Sequence, residues 1–366
     1  MELDRRAFIG AGAAFGAAAA AETTQAQGRH GPRRIATEEA FATKEQMAAM
    51  VALGHSQWAN PDLSLWRSFG GANAGRSRLR NGLLDLEQDR IADMDANQVD
   101  MHILSLTSPG VQMFDPDTAS GIAESANDQL AGVIRRHPTR FAGLAAFAPQ
   151  DPKRAVKEME RGVRTLGLNG FILNSHTNDE YFDDRKFWPM LEAAEALDRP
   201  IYIHPRCPSA PMWEACADYG LSSGMWGFHV ETSLHATRMI LGGCFDQFPK
   251  LKIVLGHMGE GLPYWLYRID HVYQAFNPPG SPRRLEASPK ETFARNFVIT
   301  TSGVNDPNVL AFTIAQLGID NVLWAIDYPY EQSQPAVEFM DKAPVTPAQR
   351  LKLYQTNAER VFHLRA

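Results

Sequence analysis

Cysteine is scarce, with three in 366 residues: Cys207, Cys216 and Cys244. None stands in a CxxC spacing, which argues against a thiolate zinc site and against a disulfide framework. A single Cys207–Cys216 bridge stays open as an alternative in an oxidising compartment. The chain also lacks a long basic run, and its net charge is -6. Nothing in it is built to neutralise nucleic-acid phosphates, so nucleic acid is excluded as an expected partner. No strand-like run is followed by a glycine-rich phosphate fingerprint, which leaves no sign of a nucleotide cofactor. Hydrophobic residues form 44% and charged residues 21% of the chain, enough apolar material for one large core.

The first thirty residues read as an address. Asp4-Arg-Arg-Ala-Phe-Ile9 precedes an Ala/Gly-rich stretch from Gly10 to Ala21, with small residues suited to cleavage near Ala19 to Ala21. This resembles a twin-arginine export signal over residues 1–30 and implies a periplasmic destination. The stretch is too short and too weakly apolar for a spanning helix, so no stable membrane anchor is expected.

From residue 31 to 366 the pattern changes to short apolar runs, each followed by helical periodicity. Eight such runs are present: Arg34–Glu38, Asp100–Leu106, Phe141–Phe147, Gly170–Asn174, Pro200–His204, Lys252–His257, Phe297–Thr301 and Val322–Asp327. Helical patterns separate them, among them Gly121–Arg136, Pro152–Leu166, Phe187–Leu197, Val230–Gly242, Pro307–Leu317 and Pro347–Leu364. That alternation predicts one α/β domain, a (β/α)8 TIM barrel, with an insertion after strand 1. The insertion, Thr43–Leu86, carries Trp58, Trp66 and Gly70-Gly71 and is expected to cover one end of the barrel.

Side chains at the C-terminal ends of barrel strands project into the active site. Four strands end in a metal-ligating or proton-transfer group: Glu38, His204, His257 and Asp327. Two carboxylates and two imidazoles in one cavity cost several kcal/mol per charge without a cation, and a divalent metal is the ordinary remedy. Carboxylate and imidazole ligation suits Mn(II), Zn(II), Fe(II) or Mg(II). Manganese and zinc are expected ahead of magnesium.

Thr37-Glu-Glu-Ala-Phe-Ala42, Ile203-His-Pro-Arg206, Leu255-Gly-His-Met-Gly-Glu-Gly-Leu-Pro-Tyr264, Ala325-Ile-Asp-Tyr-Pro-Tyr330 and Glu231-Thr-Ser-Leu-His235 together resemble the amidohydrolase-related decarboxylase family. That family includes the aminocarboxymuconate semialdehyde, dihydroxybenzoate, γ-resorcylate and 5-carboxyvanillate decarboxylases. The resemblance runs from about Arg34 to the C-terminus. It implies Glu38, His204 and Asp327 as ligands of one divalent ion, with Ala40 where many members place a further histidine. It further implies His257 and Asp327 as the proton-transfer pair, with Glu260 orienting His257. Arg268 stands eleven residues after His257, where such decarboxylases put an arginine toward the substrate, and a helix-surface arginine paired with Asp270 is the equal alternative. Tyr330 and Phe41 read as pocket walls, and Arg206 either meets a carboxylate or only ties a loop.

The implied activity is nonoxidative decarboxylation of a hydroxylated aromatic acid by a homodimer or homotetramer. The alternative is hydrolysis of an amide, lactone or ester by a metal-activated water. A binding protein on a dead barrel would have lost the proton-transfer groups, and both are present. Glu39, Glu231 and His235 are expected to be supports, and His176, His229 and His271 ordinary loop or helix histidines.

Overall fold

The computed structural model describes residues 31–56, 60–69 and 74–364. The export-signal reading, Trp58 and Gly70-Gly71 lie outside them. Eight strands, β1 (Ile35–Phe41), β2 (Met101–Leu106), β3 (Phe141–Ala146), β4 (Gly170–Leu173), β5 (Ile201–Ile203), β6 (Ile253–Leu255), β7 (Phe297–Thr300) and β8 (Val322–Leu323), form one sheet in sequence order. Every adjacent pair is parallel. The ring closes through the segment after β8, where Asp327 N donates to Glu38 O (3.1 Å) and Ala40 N to Tyr328 O (2.7 Å). The (β/α)8 architecture is therefore as the sequence implies.

The strands are buried along their whole length because helices cover the outside while side chains fill the inside. Helix starts follow from side chains that accept the first free N–H groups. Asp115, Asp151 and Asp306 each do so with proline just inside the helix, and Ser288 and Thr346 form capping boxes.

The observed strands mostly stop before the predicted ones, so His204, His257 and Asp327 sit on the connections just beyond β5, β6 and β8. Those connections turn away from the sheet to reach the cavity, which the apolar pattern alone does not reveal. Among the described residues the insertion forms three helices, Lys44–Gly54, Leu63–Ser68 and Ala74–Leu84, and lies over this end. Gln46 Nε2 donates to Thr107 O (3.1 Å) beyond β2, and Ala42 N to Leu83 O (2.8 Å). Trp66 is fully packed, edge-on to Phe69.

Cys207, Cys216 and Cys244 are buried and free, so the Cys207–Cys216 bridge does not form. Among the described residues no helix is long and apolar enough to cross a membrane.

Candidate active site

Strand β1 shifts register between Ala36 and Glu39, and this bulge lies at the site. It aims Glu38 into the barrel while Glu39 reaches the backbone after β8. Oxygen Oε2 of Glu38 accepts from Thr300 Oγ1 (2.8 Å) and from the hydroxyls of Tyr202 and Ser302. Oxygen Oε1 is buried and has no hydrogen-bond partner. An ionised oxygen left unanswered in a dry cavity costs heavily unless a cation meets it.

His204 supplies a second donor. Its Nδ1 lies 2.8 Å from Pro205 O, and a carbonyl can only accept, so the proton is on Nδ1 and Nε2 carries the lone pair. Nε2 points to Glu38 Oε1 at 3.5 Å. Asp327 completes the group, and one ligand atom from each of Glu38, His204 and Asp327 lies within 4.8 Å of the others. An orphaned oxygen, a fixed imidazole lone pair and a second carboxylate are donors that fit a divalent ion.

Asp327 adopts φ 78°, an uncommon conformation for an aspartate. Glu39 holds it there from both sides, accepting from Ile326 N (3.1 Å) and Tyr328 N (2.9 Å). Burial, then the charge of Glu38, pushes the Asp327 carboxyl above its ordinary range, and His257 pulls it partly back.

His257 opens a turn in which every residue to Gly261 has positive φ. Its Nε2 is 3.5 Å from Asp327 Oδ2 and its Nδ1 is 2.8 Å from Glu260 Oε1. Burial alone favours the neutral ring, but Glu260 and Glu38, with the Asp327 hydrogen bond, raise its proton affinity well above the usual value. A divalent ion on Glu38 and Asp327 cancels much of their pull, and the Glu260 contribution survives it.

Several expected site residues fall elsewhere. Arg268 is exposed, because the helix Leu262–Phe276 buries Leu262, Pro263 and Leu266 and turns position 268 outward. Asp270 is bonded to Gln274 (2.7 Å) and to Lys290 N (3.0 Å) instead. Arg206 gives Nε and Nη2 to Asp62 (3.0 and 2.6 Å) and Nη1 to His176 O (2.9 Å), so it ties the insertion to the loop after β5 and already has a buried carboxylate as its partner. Phe41 is 1% exposed and belongs to the core, not the pocket wall. Tyr330 is half-buried beyond β8 with its hydroxyl 2.6 Å from Thr107 Oγ1.

Glu231 and His235 are buried supports. Glu231 accepts from Ser175 (3.0 Å), Tyr181 (3.0 Å) and Ser209 N (3.0 Å), joining the loops after β4 and β5. Sequence reasoning missed Tyr202, Thr300 and Ser302, and it took His229 for an ordinary loop or helix histidine. Their signal was polar groups inside or just after otherwise apolar strands, and it is faint for His229, which lies on a helix.

A sequence-family model described as amidohydrolase matches residues 83–364. A γ-resorcylate decarboxylase of a Polaromonas strain is 37% identical over 90% of this chain and 98% of its own. The structure of 5-carboxyvanillate decarboxylase from Sphingomonas paucimobilis is 48% identical with a TM-score of 0.87, covering 91% of this chain and 99% of that one. A 5-carboxyvanillate decarboxylase from Novosphingobium aromaticivorans, solved with manganese and 4-hydroxy-3-methoxy-5-nitrobenzoic acid, is 40% identical with a TM-score of 0.86 over 91% and 97% of the two chains. The chain belongs to the amidohydrolase family, among its decarboxylases.

Proposed function

We propose that this protein is a metal-dependent, nonoxidative decarboxylase of a hydroxylated aromatic acid, with manganese as its resident ion. The observation that carries the reading is the His257 Nε2 to Asp327 Oδ2 contact of 3.5 Å beside the Glu38, His204 and Asp327 cluster. It sets a proton donor next to the place where a cation would hold the substrate. Hydrolysis gives way, because the relatives described above are decarboxylases. Among hydroxybenzoates, 5-carboxyvanillate is the first substrate to try, since the 48% and 40% identities belong to enzymes named for it.

Glu38, His204 and Asp327 would hold the ion. When bound, it supplies Lewis-acid stabilisation of negative charge on the substrate's phenolate and carboxylate. Tyr202, Thr300 and Ser302 fix Glu38 so that Oε1 faces the cavity. The His257 and Asp327 pair shares a proton, which moves to the ring carbon bearing the carboxylate. The bond to that carboxylate then breaks, its electron pair restores the aromatic ring, and CO2 leaves. One proton is consumed per turnover. The insertion, pinned by Asp62 and Arg206, shields this end of the barrel from bulk water.

The test is to load the protein with Mn(II), incubate it with 5-carboxyvanillate, dihydroxybenzoates and simple lactones, and follow CO2 and product mass. CO2 release that stops on chelation and returns with Mn(II) supports the reading. Fully loaded protein that cleaves a lactone and releases no CO2 overturns it.

Residues 1–30 direct export by the twin-arginine route to the periplasm in this reading, supported by Arg5-Arg6 and the Ala/Gly-rich stretch. A reporter fused to them should be exported, and Arg5→Lys with Arg6→Lys should block it. A homodimer or homotetramer is proposed as well, supported by exposed Tyr264, Tyr267 and Phe276 on one helix. Sedimentation analysis decides it.

A further inference from the structure

Glu260 is held by two histidines, and the second has no part in the chemistry described so far. The Glu260 carboxylate is wholly buried, with 0% side-chain exposure. Its Oε1 meets His257 Nδ1 at 2.8 Å and its Oε2 meets His229 Nδ1 at 2.6 Å. An ionised carboxylate only accepts, so both imidazoles direct an N–H at it, one on each oxygen. No Lys or Arg among the described residues forms an ion pair with it, and the two imidazoles are the groups that answer its charge.

The three side chains come from two separate pieces of chain. His229 lies on the helix Gly227–Leu241, whereas His257 and Glu260 lie in the turn after β6. Ser233, one turn after His229, sets its hydroxyl 2.6 Å from His229 O and 2.5 Å from Glu260 O, and its one proton, given to Glu260 O, ties the helix to the turn. The rings of His229 and His257 stand 5.8 Å apart at 82°, so they converge on the carboxylate without touching each other. His229 is the outer member, with its side chain 33% exposed against 14% for His257.

We propose that His229 is a positioning residue for proton transfer: it anchors the second oxygen of Glu260 and shares its charge, and so sets how firmly Glu260 grips His257. The inference rests on His257 and Asp327 acting as the proton-transfer pair. Without His229, Oε2 would be a buried carboxylate oxygen with no partner. Glu260 would then rotate or take up a proton, and either change weakens its hold on His257 Nδ1.

The experiment compares His229→Leu and His229→Gln in the full chain. The leucine removes the N–H donor, and the glutamine replaces it with a side-chain amide N–H. Loaded with Mn(II), His229→Leu should lose about ten-fold or more in kcat while KM and bound metal stay within about two-fold, and His229→Gln should recover most of the loss. In metal-free protein the far-downfield proton NMR signals of the two Nδ1–H groups give a readout independent of turnover. His229→Leu should delete one signal and shift the other, and His257→Gln identifies which is which.

Wild-type kcat in His229→Leu, an unmoved His257 signal, or a loss of kcat that glutamine does not recover would overturn the proposal. Should the wild-type protein release no CO2 from any substrate, the proposed function fails, yet the NMR comparison still decides whether His229 governs the Glu260 to His257 bond.

Discussion

Gly256 lies against the carboxylate of Glu38 so closely that a Cβ on it would stand 2.7 Å from Oε2 and 2.8 Å from Oε1. The first residue after β6 thus gives up a side chain next to the group that would face the cation. Gly256→Ala should push the Glu38 carboxylate off its three hydroxyl partners and weaken metal binding about ten-fold or more. Metal content after dialysis measures this, with the thermal midpoint of the metal-free protein as a control for folding. Full occupancy in a folded variant would show that Glu38 tolerates the shift.

Glu39 supports Asp327 by accepting two backbone N–H groups, one on each carboxyl oxygen. Burial pushes its carboxyl well above the usual range, against the pull of those same hydrogen bonds. Glu39→Gln keeps the shape but offers one accepting oxygen, leaving a buried N–H without a partner. A loss of about 1–3 kcal/mol in unfolding free energy is expected, with kcat falling more than KM because Asp327 loosens. Denaturant titration and steady-state kinetics check both parts. An unchanged stability would mean that Glu39 is protonated in the folded protein.

The barrel was legible because each strand is an apolar run, and both faces of each strand are covered. The cluster of Glu38, His204 and Asp327 was legible because several carboxylates and imidazoles end such runs together, as in Ile201-Tyr-Ile-His204, where any one alone could be a cap or a loop bond. Between the two readings of Arg268 the sequence could not choose, because spacing along the chain says how far a residue lies from His257 but not which face of the helix Leu262–Phe276 it takes. Of the two readings of Arg206 the tie to a loop is the one seen, and the sequence could not select it because its partner, Asp62, is 144 residues away in the insertion. His229 was read as an ordinary helix histidine for the same kind of reason, since its meaning depends on Glu260 from another loop.

The Asp62 and Arg206 pair makes a prediction of its own. Arg206 is 2% exposed, and Asp62 also accepts from Cys207 N (3.0 Å). Asp62→Ala strands a buried guanidinium and should cost about 3–5 kcal/mol, while Asp62→Leu with Arg206→Met should recover much of it. Limited proteolysis should find the insertion near Leu63–Ser68 cut faster in the single variant. Equal cleavage rates in wild type and Asp62→Ala would show that other contacts hold the insertion down.

Acid should destabilise the fold through two histidines that are not part of the Glu38, His204 and Asp327 cluster. Burial depresses His176 to about 2 and His235 to about 3, with Arg206 and Arg238 respectively adding to the effect. Both are neutral in the folded protein, and His235 Nε2 accepts from Phe182 N at 3.1 Å, a bond that protonation breaks. In the unfolded chain each titrates near the usual value of about 6.5. Their stabilising contribution is therefore complete above about pH 6.5 and is lost as the pH falls, at a rate approaching 1.4 kcal/mol per pH unit for each ring. His257 has the opposite shift, so its contribution is complete below about pH 6.5 and adds no slope there. Glu39 and Glu231, whose carboxyls are raised by burial, oppose the histidines at lower pH, so the slope of one variant against another is the cleaner reading. Urea unfolding of metal-free wild type and His235→Gln at pH 6.5 and pH 5.0 should show the variant losing less stability over that interval, by about 1–2 kcal/mol. Parallel losses would mean that His235 takes up its proton inside the folded protein.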